Sequence, residues 1–160
     1  MQIRLIAALV VVLAATPALA QTTVRGTPAD KFIFLPHDTL AQQLAKPAPG
    51  QTYSIAVMND HENYFVEFVR RLDHGNAVEQ HEHWIDQITI MSGHGTLTQG
   101  GTIVGAKQTG PGEVRGDTLK GAVTQKLGPG DFVLIPAGLP HKFDAAPGTE
   151  MVYSVFKARQ

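Results

Sequence analysis

The sequence contains no cysteine. Disulfides are excluded, so packing, hydrogen bonds or a bound metal must hold the fold together. Neither sign of charge is in excess: 13 Lys and Arg stand against 14 Asp and Glu, for a formal net charge of −1. The basic residues are scattered, so no basic face marks a nucleic-acid partner. No cationic amphipathic stretch marks a membrane surface. Beyond residue 20, no apolar run is long enough to cross a bilayer.

The first twenty residues do contain an apolar run. Arg4 is the only early charge, Leu5 to Ala15 are apolar, and Pro17 follows, with Ala18 and Ala20 around Leu19. This is the pattern of a secretory signal peptide over 1–20, cleaved after Ala20. An uncleaved anchor is the alternative. Cleavage would leave 21–160 as a periplasmic or secreted protein, with no membrane attachment. Within it, 21–49 reads as a loose arm and a short helix, and 50–160 as one domain.

Gly (16) and Pro (10) recur at short intervals, and runs rich in Val, Ile, Thr, Tyr and Phe lie between them. This predicts an all-β sandwich or barrel. Strands are expected near 53–58, 64–72, 77–82, 86–92, 95–99, 102–106, 123–127, 131–135 and 150–157. Gly100-Gly101 predicts a two-residue hairpin. One helix is expected, capped by Asp38 or Thr39, with Leu40, Ala41, Leu44 and Ala45 on one face and Pro47 and Pro49 ending it. The Gly-rich stretch 105–122 reads as a long loop, of the kind that serves as a lid, a binding loop or a disordered insert.

Two segments carry the chemistry. The first runs from Gly75 through Glu79, His81, His83, Asp86 and Gln87 to Gly93. The second runs from Gly130 through Pro136 and Gly138 to His141. Together they resemble the two motifs of the cupin family, G-x5-H-x-H-x3,4-E-x6-G and G-x5-P-x-G-x2-H-x3-N. The second fits without a gap, except that Ala145 stands at the final Asn. The resemblance covers most of 50–157. It implies a double-stranded β-helix, a jelly-roll barrel, preceded here by one short helix.

The resemblance also implies one divalent metal ion, Fe(II), Mn(II) or Zn(II), and no organic cofactor. Two registers compete for its ligands. In the literal register His81 and His83 form the pair and Gln87 takes the carboxylate position. In the shifted register Glu79 and His81 form the pair and Asp86 is the fourth group, which resembles the E-x-H-x4-D motif of small secreted cupins. His81 and His141 belong to both. Strand alternation favours the shifted register: with Asp86 inward, Ile88 and Ile90 also face the core, worth about 2 kcal/mol. The alternative metal set is His83 with Gln87.

A metal-dependent enzyme acting on a small polar molecule is the leading expectation. Two histidines and a carboxylate suit a dioxygenase-like iron site, and zinc would suit an isomerase or lyase. Glu79, if it is not a ligand, is a candidate general base. The alternative is a non-catalytic module binding a small ligand or a metal. Glu113 and Arg115 read either as a loop salt bridge or as a lid over the barrel mouth. His37, His61, His74 and His94 read as surface residues. A homodimer is expected, because strand 64–72 has apolar residues on both faces and only one can line the barrel.

Overall fold

A computed structural model of the chain describes residues 32–45, 47, 49–60, 62–74 and 76–160. The expected signal peptide, the arm up to residue 31, His61 and Gly75 lie outside these. The described residues form helix α1 (His37–Gln43) and thirteen strands: β1 (Tyr53–Asp60), β2 (Tyr64–Leu72), β3 (Val78–His81), β4 (Trp84–Ser92), β5 (Gly95–Gln99), β6 (Thr102–Val104), β7 (Lys107–Gly110), β8 (Glu113–Gly116), β9 (Thr118–Lys120), β10 (Val123–Leu127), β11 (Phe132–Ile135), β12 (His141–Ala145) and β13 (Glu150–Arg159).

The strands pair antiparallel into a five-stranded sheet, β1-β2-β13-β4-β11, a six-stranded sheet, β10-β5-β12-β3-β8-β7, and a small β6-β9 ribbon. Inward residues of the two large sheets meet in one core. Val69, Ile88, Ile90, Ile135, Met151, Tyr153 and Val155 come from the first sheet, and Leu97, Leu127, Phe143 and Ala145 from the second. Period-two alternation produces this: β13 buries Met151, Tyr153, Val155 and Lys157 in turn.

The stretch 105–122 is not a loop. It forms β7, β8 and β9, and β8 pairs with β3 through Glu79↔Arg115 and His81↔Glu113. The Glu113-Val114-Arg115 alternation is a strand signal, masked by the glycines that turn the chain at either end. The Gly100-Gly101 hairpin is also corrected. Both glycines have positive φ (78° and 71°), yet β6 leaves the sheet to pair with β9, while β5 pairs with β10 and β12.

Helix α1 begins at His37, preceded by Pro36, and among the described residues no side chain caps it. Asp38 therefore sits in the first turn rather than at the cap, and Ala41 and Ala45 are exposed. Leu40 and the buried Leu44 pack with Leu35 on Val66, Phe68 and Val152. The outward face of β2 is thus partly covered by the chain itself. Among the described residues, large exposed apolar side chains on the same sheet are Tyr53, Met91, Phe132, Leu134 and Phe156.

Candidate functional site

Three strands of the barrel and the turn before β12 bring the site together. β3 supplies Glu79 and His81, β4 supplies Asp86, and β12 supplies His141. The turn before β12 needs the left-handed backbone that Gly138 adopts (φ 78°). Its N–H donates to the His81 carbonyl at 2.7 Å. The second motif is thereby pinned to the end of the first, and His141 lies beside His81 with ring centroids 5.5 Å apart.

Glu79, His81 and His141 each present a ligand atom, all within 4.8 Å of one another, an arrangement that could hold a metal ion. Asp86 stands beside them: its Oδ2 is 3.6 Å from His81 Nε2 and 3.7 Å from His141 Nε2. Asp86, His81 and His141 are all buried. Of the alternative set, His83 and Gln87 are exposed on the outside of the barrel. The first motif's inward row is therefore Asp86, Ile88 and Ile90, all buried.

Hydrogen bonds set both tautomers. The Glu113 carboxylate accepts from His81 Nδ1 at 2.6 Å. The Leu139 carbonyl accepts from His141 Nδ1 at 3.0 Å. A carbonyl and a carboxylate are acceptors only, so each Nδ1 carries the proton and each Nε2 turns a lone pair into the cavity. Burial pushes the pKa of His141 below its ordinary value, against the pull of the Leu139 carbonyl and of Asp86 and Glu79, and so favours the neutral ring. Glu113 and Arg115 are wall residues on β8, not a lid. Arg115 Nη1 lies 3.3 Å from Glu113 Oε2.

Burial alone would raise the pKa of Glu79. Contact with His81 and the charges of Arg71 and Arg115 outweigh it and hold the carboxyl well below its usual range. Arg71 is buried and donates through Nε to the Tyr153 hydroxyl at 2.8 Å and through Nη1 to Asn76 at 3.1 Å. Its Nη2 is 3.7 Å from Glu79 Oε1. Burial pushes the Tyr153 hydroxyl up to about 12, so it stays a neutral phenol.

Three charged residues lining the cavity were not foreseen from the sequence. Lys157 is buried on β13 and donates to Asp86 Oδ2 at 2.8 Å and to His81 Nε2 at 2.7 Å. Glu67 and Arg71 on β2 line the same cavity. Burial raises the Glu67 pKa, with Glu79 and Asp86 adding to this and Lys157 and Arg71 opposing it. Parity could have found all three. Lys157 follows Tyr153 and Val155 at two-residue steps, and Glu67 and Arg71 share the parity of Phe65 and Val69.

The cavity has a volume of about 270 Å³, with Phe65, Trp84 and Phe143 in its wall. It suits a ligand of few atoms, since drug-sized ligands need roughly 300–1,000 Å³.

No protein-family model and no curated protein matches the sequence. Solved structures do match the fold. One is a protein with a double-stranded beta-helix domain from Klebsiella pneumoniae, at 16% identity, covering 82% of this chain and 88% of that one, with a TM-score of 0.56. Another is the Cnp3 cupin domain of Schizosaccharomyces pombe, at 13% identity over 69% of this chain and 66% of that one, with a TM-score of 0.52. An oxalate oxidase matches at 13% identity over 82% of this chain and 61% of its own, with a TM-score of 0.55. With its two motifs and its two facing antiparallel sheets, the chain has the cupin fold.

Proposed function

We propose that the protein is a metal-dependent enzyme acting on a small polar molecule, exported and working in the periplasm or outside the cell. One observation carries this reading: two buried imidazoles, each with its Nδ1 tied to an acceptor, stand beside the ionised carboxylate of Glu79, with one ligand atom from each of the three within 4.8 Å of the others. Neutral imidazole and carboxylate are the donors that Fe(II), Mn(II) and Zn(II) accept. Asp86 Oδ1 is buried with no hydrogen-bond partner among the described residues, a further donor facing unmet demand. The residues fit a divalent ion. Glu79, His81 and His141 would hold it, with Asp86 as an additional candidate.

A divalent ion held there supplies Lewis acidity, and Fe(II) or Mn(II) supplies redox chemistry as well. The chain's own groups do the rest. Glu113 keeps the His81 tautomer, and Arg71 positions Glu79. Glu67 has a raised pKa and no side-chain hydrogen bond among the described residues, so it can hold or release a proton toward a ligand in the cavity. It takes the general-base role first considered for Glu79, which serves as a ligand. Phe65 and Trp84 pack edge to face with centroids 5.3 Å apart and exclude water from the wall.

The test is elemental analysis of the untagged, mature protein. Stoichiometric iron, manganese or zinc supports an enzyme of this kind. Absence of metal at every pH favours a second reading, a non-catalytic module for a small ligand. Lys157 favours that reading, because its ammonium already occupies Asp86 Oδ2 and His81 Nε2. Export and self-association are also proposals. N-terminal sequencing of the secreted form and ultracentrifugation at micromolar concentration check them.

A further inference from the structure

Lys157 Nζ lies 2.7 Å from His81 Nε2 and 2.8 Å from Asp86 Oδ2. His81 Nδ1 is already committed to Glu113, so Nε2 has one lone pair and one place for a partner. A metal would need that same lone pair at about 2.0–2.1 Å. An ammonium at hydrogen-bond distance on the same axis would then overlap the ion. Both cannot be bound to His81 at once.

We infer that Lys157 is a built-in competitor for the metal site, an internal cation that must give up His81 before an ion can bind there. The inference rests on the metal reading of the site and says how occupancy of that site is set. Two observations beyond the distance support it. Among the described residues, Lys157 leaves Asp86 Oδ1 without a partner, so the internal cation only half-satisfies the acidic group it serves. The Lys157 ammonium also has a second stabilising neighbour: its Nζ already lies over the Phe65 ring, 5.9 Å from the centroid. A shift off His81 toward that ring face, with the bond to Asp86 kept, would leave the charge stabilised. Once moved, the ammonium stands next to the ion and presents N–H groups to the cavity, a place suited to an oxyanion of a small ligand.

The experiment measures affinity for Zn(II) and Mn(II) alone, by calorimetry on chelator-stripped full-length mature protein. Lys157→Met removes the competitor. Lys157→Gln removes its charge but keeps an N–H for Asp86, and so provides a readable variant if Met fails to fold. Lys157→Arg keeps a cation. The Met and Gln variants are expected to bind about ten- to a hundredfold more tightly than wild type, the range over which groups next to metal ligands shift affinity. The Arg variant is expected to show no such gain. Equal or weaker binding by Met and Gln, with metal still bound by wild type, overturns the competitor role and leaves the metal site standing. No binding by any variant or by wild type overturns both.

Discussion

On three strands of the barrel, β13, β4 and β12, the inward rows have opposite chemistry at their two ends, while on β2 the buried Arg71 lies opposite Met151. On β13 the inward row runs Met151, Tyr153, Val155, then Lys157. On β4 it runs Ile90, Ile88, then Asp86. On β12 it runs Ala145, Phe143, then His141. Cross-strand pairs keep the ends in step: Tyr153 faces Ile90, Val155 faces Ile88, and Lys157 faces Asp86. A single two-residue step therefore takes three strands from oil to charge. The apolar end fixes register, because a one-residue slip would turn every buried Ile outward. The polar end inherits that register and spends it on aiming donors.

The sharpest way to break this comparison is to remove one group from each end. His141→Ala and His81→Ala are each expected to abolish metal binding, since losing one of three or four ligands empties or cripples such a site. Ile90→Ala should cost about 2–5 kcal/mol of stability and leave metal stoichiometry unchanged in whatever fraction stays folded. Elemental analysis and urea unfolding on the same samples separate the two. If Ile90→Ala loses metal while still folded, or if both His variants keep it at the wild-type level, the division between the ends is wrong.

Next in size is the pair that joins the halves of the polar end. Asp86→Ala leaves Lys157 buried without its carboxylate, which is expected to cost about 3–5 kcal/mol. The exposed neighbour Gln87→Ala should stay within about 0.5 kcal/mol of wild type. Metal titration should rank them the same way, and should rank Glu79→Ala as more damaging than His83→Ala. The opposite order in both pairs would restore the outward-facing literal register.

The apolar end was readable in the sequence because alternation of Ile, Val and Phe has one physical explanation, burial. Ile88 and Ile90 told Asp86 which way to point. The strand bounds at 64–72, 95–99 and 123–127 followed from the same signal. The polar end was half readable. His81, His141, Glu79 and Asp86 sat in motifs with known spacing. Lys157 and Glu67 sat in no motif, and a charged residue in a strand reads by default as solvent-facing. Only the strand's parity argues otherwise. β8 was hidden for a different reason: Gly110, Gly112 and Gly116 suggested loop, while the strand between them is four residues long and gains its stability from pairing with β3. β12 was expected as a strand carrying His141 after the Pro136-x-Gly138 turn, but its extent was not legible in the tail of the second motif, where His141, Phe143 and Ala145 alternate inward with Lys142 and Asp144.

The smallest expected effect tests the polar end's acid–base balance at Glu67. Its folded pKa is raised above the ordinary value of 4.5, first because burial disfavours the carboxylate and then because Glu79 and Asp86 are close. A raised carboxyl pKa means the folded state holds its proton more tightly than the unfolded chain does. Stability from this group is therefore full below the unfolded value, declines as pH rises through the window up to the folded pKa, and levels off above it. Glu67→Gln removes the titration. The variant is expected to melt higher than wild type at neutral pH, by a few degrees at most, with the difference closing as pH falls toward 4.5 and below. Melting curves of metal-free protein across that range give the answer. The same substitution at the apolar end has no counterpart, because among the described residues the inward rows of β4, β12 and β13 carry no carboxyl there. A pH-independent difference between Glu67→Gln and wild type would mean that Glu67 acts through packing alone, and would remove it as the proton-holding group of the cavity.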